Sequence, residues 1–596
     1  MEPPQDATSH AQGPRPRGRR PGVDNQDGAI PAELPPPAHP NLAALISESA
    51  ERFADRRAFT SCMPNGMNGA LSYAQIDEAS DAFALYLREG LGLAPGSRVA
   101  VQLPNCLSYP VVVFGILKAG CVLVNTNPLY AAGEMIHQFR DSGAEALVIV
   151  DMFVDKLPEV LPHTAIRHVV MTSLAQFFPP VVRQVVQAVL RYWNRVIPSC
   201  PVKATPLGEA LAEGRRLGQA QGTSVPDYWR DLGPESLAAL QYTGGTTGIA
   251  KGAMLSHGNL LANVAQIEAM AGSHIADGEE CVLTALPLYH IFAFSVNLLA
   301  FFKHGAHNVL VPNPRPIQNL QRAIENYPVS WISGVNTLFN ALLNEEWFTL
   351  YPPRKLRAAA AGGTALHAAV AERWEAITGT PLVEGYGLTE SSPVISFNPL
   401  VGTRKPGSIG IPVPGTEVRL VDDAGAPVAQ GEPGELTARG PQVMQGYWQQ
   451  PEATAEALRD GWLHTGDVAA MDADGYLRIV DRKKDLILVS GFNVYPNEVE
   501  DCIALLDAVH EVGVIGVPDP DTGEAVRAYI VTRGELDRDA VKAHCRQQLA
   551  RYKVPKQIAF VDELPKSPIG KVLRKDLRAQ YLKDHPHAAT EGSPSC

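Results

Sequence analysis

The eight cysteines of this chain contain no C-x-x-C pair. Scattered from Cys62 to Cys596, they make neither a disulfide framework nor a zinc site, and reduced thiols serving as small buried hydrophobes are expected. There is no basic excess either. The formal net charge is −12, so no general positive field gathers phosphates, and nucleic-acid binding is excluded as the overall role. A local basic groove stays open. No apolar run reaches the ~20 residues of a membrane-spanning helix; the most apolar stretch, Ile291 to Phe302, is shorter and carries Ser295 and Asn297. Arg15, Arg17, Arg19 and Arg20 precede no apolar segment, so no secretory signal is read. The expected location is cytoplasmic, with at most peripheral attachment to the inner face of the cell membrane.

What is present is a soluble composition, 45% apolar and 19% charged, in 596 residues. That length exceeds one hydrophobic core and requires more than one domain. The chain is organised around Gln241 to Leu255, which sets four glycines and three threonines beside Lys251. Glycines let backbone N–H groups converge on an anion, and hydroxyls and an ammonium add donors. Tyr242, Thr243, Gly244, Gly245, Thr246, Thr247, Gly248 and Lys251 therefore read as a phosphate cradle. It is not a P-loop, because Ala250 precedes the lysine and Gly252 follows it, leaving no hydroxyl where a Mg²⁺ ligand belongs.

Around this stretch, residues 1–40 hold ten prolines and read as a disordered arm. From Asn41 onward helical spacing (Leu42, Leu45, Ile46, Ala50) gives way to short apolar runs alternating with helical patterns. Val99 to Leu103, Cys121 to Val124, Ala146 to Val150 and His168 to Met171 are expected strands of an α/β domain with largely parallel sheet. Residues 177–197 place Val182, Val185, Val186, Val189, Leu190 and Trp193 at helical spacing with Arg183, Arg191 and Arg195 among the polar positions. Such a helix either lies on an anionic membrane or packs on its own domain. A β-rich section follows from Ser408, with strands at Glu417 to Val421 and Gly434 to Arg439. Beyond Asp485 comes a small α/β unit.

Several later residues suit a nucleotide. Gly362 and Gly363 let backbone approach a flat ligand, and Tyr386, before Gly387, offers a ring to stack on a base. Thr389 adds a hydroxyl, and Glu390 is a hard oxygen ligand for Mg²⁺. Asp467, on a Gly turn, suits ribose hydroxyls. The charge run Asp481 to Asp485 separates two apolar strands and reads either as a solvated face or as an inter-domain hinge. A lone His290 in an apolar run is ordinarily core, and Lys571 is ordinarily part of a mobile basic tail.

The stretch Tyr242 to Leu255 resembles, nearly letter for letter, the nucleotide-phosphate signature of the adenylate-forming enzymes, which include acyl-CoA synthetases, luciferases and peptide-synthetase adenylation domains. Leu286 to Ala293, Glu384 to Glu390, Asp460 to Asp467, Asp481 to Asp485, Gly491 to Pro496 and Pro565 to Arg574 resemble that family's further signatures, in its order. Asp460 to Lys484, Val489 to Pro496 and Gly334 to Leu342 are most similar to bacterial long-chain fatty acid–CoA ligases. The resemblance implies a large N-terminal domain of parallel α/β sheets plus a β-rich subdomain, and a small mobile α+β C-terminal domain. Boundaries are expected at 1–40 (arm), 41–481, 482–484 (hinge), 485–582 and 583–596 (tail). It also implies ATP, Mg²⁺ and coenzyme A. His290 would lie beside the substrate carboxylate, Tyr386 over adenine, Thr389 on phosphate, Glu390 on Mg²⁺, Asp467 on ribose and Arg482 on the nucleotide. Lys571 would reach the α-phosphate, Lys484 would be the pivot, and Gly491 would belong to the loop nearing the thiol. The substrates implied are a fatty acid and CoA; a homodimer is left open.

Overall fold

The computed structural model describes residues 30, 31, 33–243, 250–400, 402–490, 492–567 and 570–585. Among these, strands form four sheets. The first two are α/β sheets. A seven-stranded sheet runs Thr205–Pro206, His168–Thr172, Ala146–Val150, Arg98–Gln102, Val122–Asn125, Leu237–Thr243, Lys251–Ser256. Its neighbours pair parallel except the last, which returns antiparallel. A nine-stranded sheet has a parallel centre, His307–Leu310, Cys281–Thr284, Trp331–Gly334, Ala358–Ala361 and Leu382–Gly387, with antiparallel strands toward its ends.

Sequence explains this layering. Ala146–Val150 is buried at every position, as expected of a parallel strand covered on both faces. The helix Ser108–Lys118 is apolar all round and buried at all its residues, packing in one core with residues of both sheets. Its terminal Lys118 is fully buried and paired with Asp81 at 2.7 Å.

Glu417–Val421, Gly434–Arg439, Leu458–Arg459, Trp462–Met471 and Leu477–Arg482 make the β-rich sheet, all antiparallel. The small C-terminal unit has its own five-stranded sheet, built on the pair Val509–Asp519 and Gly523–Thr532. Its own core gathers Ile487, Val499, Ile503, Val514, Val526 and Val541. The fold is thus the expected one, large α/β sheets with a β-rich part and a smaller α+β unit.

Three details differ from the sequence reading. Lys251 is not a loop residue but opens a strand, opposite Thr243. The charge run does not lie wholly between strands: Asp481 and Arg482 end Leu477–Arg482, because each has a partner on the neighbouring strand. Within the Pro-rich arm, Ile30 packs against a cluster containing Met270, Val394 and Tyr476; proline prevents helix there, not docking. Residues 1–29 of that arm and 586–596 of the tail lie outside the described residues. No described helix is long and apolar enough to cross a membrane.

Candidate active site

The site is built where strands of both parallel sheets end, the usual place for ligands in α/β folds. A chain of buried amides aligns the two sheets. Tyr109 donates to Asn125 Oδ1 at 2.7 Å and to Leu288 O at 2.9 Å; Asn125 donates to Gln241 Oε1 at 3.0 Å, and Gln241 to Tyr289 O at 2.8 Å. Asn105 holds the same segment through Leu286 O at 2.9 Å and Leu288 N at 2.8 Å. This network fixes the turn that presents His290. His290 caps a short helix, its Nδ1 accepting from Phe292 N at 3.3 Å.

Tyr242 and Thr243 end the strand Leu237–Thr243, and the Tyr242 hydroxyl donates to Asp141 at 2.6 Å. Gly244, Gly245, Thr246, Thr247 and Gly248, the centre of the expected cradle, lie outside the described residues. At the hairpin's far side the Lys251 ammonium sits 5.2 Å from the centre of the Tyr447 ring. The Tyr447 hydroxyl in turn donates to Glu390 Oε1 at 2.7 Å. Lys251, Tyr447 and Glu390 therefore form one row along the hairpin. Thr389 and Glu390 occupy a single 3₁₀ turn following Leu382–Gly387. Gly387 is sterically obligatory there, since a Cβ would meet Pro393 O at 1.9 Å. Gly362 and Gly363 follow Ala358–Ala361; a Cβ on Gly362 would press Phe292 at 3.1 Å, and Gly363 has φ +76°.

On the opposite wall Asp467 and Arg482 face each other across two antiparallel strands. Arg482 Nε forms an ion pair with Asp467 Oδ1 at 3.0 Å, and the Tyr386 hydroxyl donates to Asp467 Oδ2 at 2.6 Å. The side chain assigned to base stacking and the one assigned to ribose are thus hydrogen-bonded partners. The Asp467 carboxylate raises the Arg482 pKa above its ordinary value. Lys484 lies in the turn between Leu477–Arg482 and Ile487–Val489, the joint between the β-rich sheet and the small unit.

These walls enclose a cleft of about 2160 Å³, beyond the ~300–1,000 Å³ of a single drug-sized pocket. It has room for more than one ligand. Part of its lining is apolar, with Ile267, Met270, Val296, Phe301, Trp331 and Phe397. Lys571, from the small unit, lines it as well. Burial, and then the Arg482 guanidinium, push the Lys571 pKa down to about 8, against the opposing pull of Asp467. Burial, with Lys571 second, pushes His290 down to about 4, so the imidazole is neutral at pH 7. Thr337 Oγ1 reaches Gly570 O at 3.5 Å, a further contact between the large part and the lysine's loop.

Two matches decide the family. The AMP-binding enzyme family matches residues 46–448, and the AMP-binding enzyme C-terminal domain matches residues 498–571. This chain belongs to the AMP-binding enzymes. It is 48% identical over 551 residues to a long-chain-fatty-acid–CoA ligase of Escherichia coli O157:H7, spanning 92% of this chain and 96% of that protein. It is 47% identical over 556 residues to a long-chain-fatty-acid–CoA ligase of Yersinia pestis, spanning 93% and 97%. Among solved structures it is similar to ATP-bound MatB from Rhodopseudomonas palustris, with TM-score 0.73, 30% identity, and coverage of 91% of this chain and 99% of that chain.

Within this AMP-binding enzyme the structure adds residues that sequence reasoning passed over. Tyr447 was silent because a tyrosine between Gly446 and Trp448 carries no motif of its own. Arg574 ends the Pro565 to Arg574 signature, but its partners Asp481, Asp485 and Glu500 are distant in sequence. Glu384 is buried within the strand Leu382–Gly387, accepting from Leu366 N at 3.0 Å, and burial raises its pKa to about 8. Gly491 lies outside the described residues.

Proposed function

We propose that this AMP-binding enzyme joins a long-chain fatty acid to coenzyme A in two steps. A carboxylate is a poor acyl donor because its leaving group would be oxide. A fatty-acid oxygen attacks the α-phosphorus of ATP, the α–β P–O bond breaks, and pyrophosphate leaves. The CoA sulfur then attacks the acyl carbon, and the bond to AMP breaks. The observation that carries this reading is the arrival of Lys571, from the small unit, in the cleft that holds His290, Asp467 and Arg482.

The first step concentrates negative charge, so stabilising it dominates the barrier. Thr243, Lys251 and residues Gly244 to Gly248 hold the outgoing phosphates. Lys571 stabilises the α-phosphate, and neutral His290 packs beside the carboxylate. Tyr386 and Gly362–Gly363 take adenine, Asp467 and Arg482 the ribose, and Thr389 a phosphate oxygen. Glu390 suits Mg²⁺, an ion that takes one or two carboxylates plus substrate phosphates rather than a protein cage. No cluster of three or more His, Cys, Asp or Glu able to hold a metal occurs among the described residues. Bound there, Mg²⁺ would neutralise phosphate charge. For the second step the small unit turns about Lys484, withdrawing Lys571 and bringing Gly491 toward the acyl carbonyl. An acid panel of increasing chain length, scored for pyrophosphate release with and without CoA, tests the reading. A long-chain optimum with CoA-dependent turnover supports it; no acid-dependent release overturns it.

A membrane contact extends this proposal. On Pro180–Ala188 and the following turn Val189–Trp193, Val186 and Leu190 are buried against the domain. Val181, Val185, Tyr192 and Trp193 are exposed, Trp193 at 86%. Exposed apolar and aromatic side chains beside Arg183, Arg191 and Arg195 suit an anionic bilayer surface. Co-sedimentation with phosphatidylglycerol but not phosphatidylcholine vesicles, lost in Trp193→Ala, supports the contact; equal sedimentation with neither excludes it.

A further inference from the structure

A buried carboxylate spans the boundary between the β-rich sheet and the small unit. Asp481 is fully buried and sits in strand Leu477–Arg482, one residue before Arg482. Its Oδ1 accepts from Arg574 Nη1 at 3.2 Å, and its Oδ2 from the backbone N of Asn497 at 2.9 Å. Both donors belong to the small unit: Asn497 lies in the first turn of helix Pro496–Ala504, and Arg574 opens helix Arg574–Asp584. Arg574 is otherwise held within its own unit. Nε and Nη2 donate to Glu500 at 3.1 and 2.7 Å, Nη2 also to Asn497 Oδ1, and Nη1 also to Asp485 at 3.3 Å. Every kind of guanidinium nitrogen is thereby engaged.

Arg574 lies three residues beyond Lys571. The intervening loop is short and tied down: Ser567 N donates to Lys571 O at 2.8 Å, and Leu573 N to Pro565 O at 2.8 Å. The position of Arg574 therefore sets that of Lys571. Of the acidic partners of Arg574, Asp485 and Glu500 lie beyond Lys484 in sequence and travel with the small unit. Asp481 lies before it and stays with the sheet that carries Asp467 and Arg482.

We infer that Asp481 is a latch that holds Arg574 and the Asn497 N–H across the hinge, positioning Lys571 for adenylation and releasing both for thioester formation. It is a positioning residue, not a catalytic one, and the inference rests on the two-step reading above. A misplacement of about 1 Å costs on the order of 10²-fold in a positioned reaction. Losing one of several anchors is therefore expected to slow adenylation about 10- to 100-fold.

The test compares Asp481→Asn with Asp485→Asn, which removes a carboxylate from the same guanidinium on the small-unit side. Adenylation is read by pyrophosphate exchange, and thioester formation from supplied acyl adenylate plus CoA. Asp481→Asn should depress the first selectively, while Asp485→Asn leaves the ratio of the two rates as in the wild type. Equal loss in both steps for Asp481→Asn, or the same ratio change in both variants, overturns the latch. If Asp481→Asn does not fold, Arg574→Lys is put through the same pair of assays with the same criteria. Lys571→Ala run in parallel separates the two levels. If it divides the half-reactions and the latch variant does not, only the latch is wrong; if it fails to divide them, the two-step reading falls.

Discussion

Raising the pH should switch off adenylation at a value far below that of an ordinary lysine. Lys571 titrates at about 8 because burial disfavours its ammonium, with Arg482 adding repulsion. The sign is fixed: the charged form is present below about 8 and lost as pH rises through it. Each further unit lowers the charged fraction about tenfold, equivalent to ~1.36 kcal/mol of lost stabilisation. The kcat/KM for ATP in pyrophosphate exchange reports ionisations of the free enzyme. Its basic limb should therefore bend near pH 8 rather than near the ~10.4 of a free lysine. His290, held near 4, is neutral throughout this range and contributes no basic limb. Arg482→Gln removes the repulsion and leaves Asp467 to pull the Lys571 pKa upward, so the limb should move to higher pH in that variant even as the overall rate falls. A limb that stays in place, or moves down, refutes the assignment of the limb to Lys571.

Glu390→Ala should lower adenylation ~10²–10³-fold, the loss of one transition-state stabiliser, and raise the Mg²⁺ concentration giving half-maximal rate; an unchanged Mg²⁺ dependence removes Glu390 from the metal. Gly387→Ala should destabilise the fold by about 1–3 kcal/mol or more, since its Cβ would strike the Pro393 carbonyl oxygen, and thermal unfolding should show a lowered midpoint. Lys484→Pro should stiffen the turn between the β-rich sheet and the small unit and harm thioester formation more than adenylation in single-turnover assays.

Local pattern made much of the architecture legible. Fully apolar runs such as Ala146–Val150 read as covered strands, and the helical spacing of Leu42, Leu45, Ile46 and Ala50 falls on the helix Leu42–Arg52. Gly387 carries a steric requirement that its motif does not announce, with the Pro393 carbonyl oxygen where its side chain would be. What remained hidden depends on pairs distant in sequence. Nothing local announces that Tyr386 donates to Asp467, 81 residues away, or Tyr447 to Glu390, 57 residues away. The run Asp481 to Asp485 concealed two roles in one string of charge. Asp481 and Arg482 close a strand, and only pairing across that strand distinguishes them from the turn beyond.

The most direct test of the two-step account is Lys571→Ala measured in each half-reaction separately. Pyrophosphate exchange should fall by ~10²–10³-fold, while thioester formation from supplied acyl adenylate and CoA stays within a few-fold of wild type. A variant in which both half-reactions fall together would contradict a lysine that works in the first step and leaves before the second.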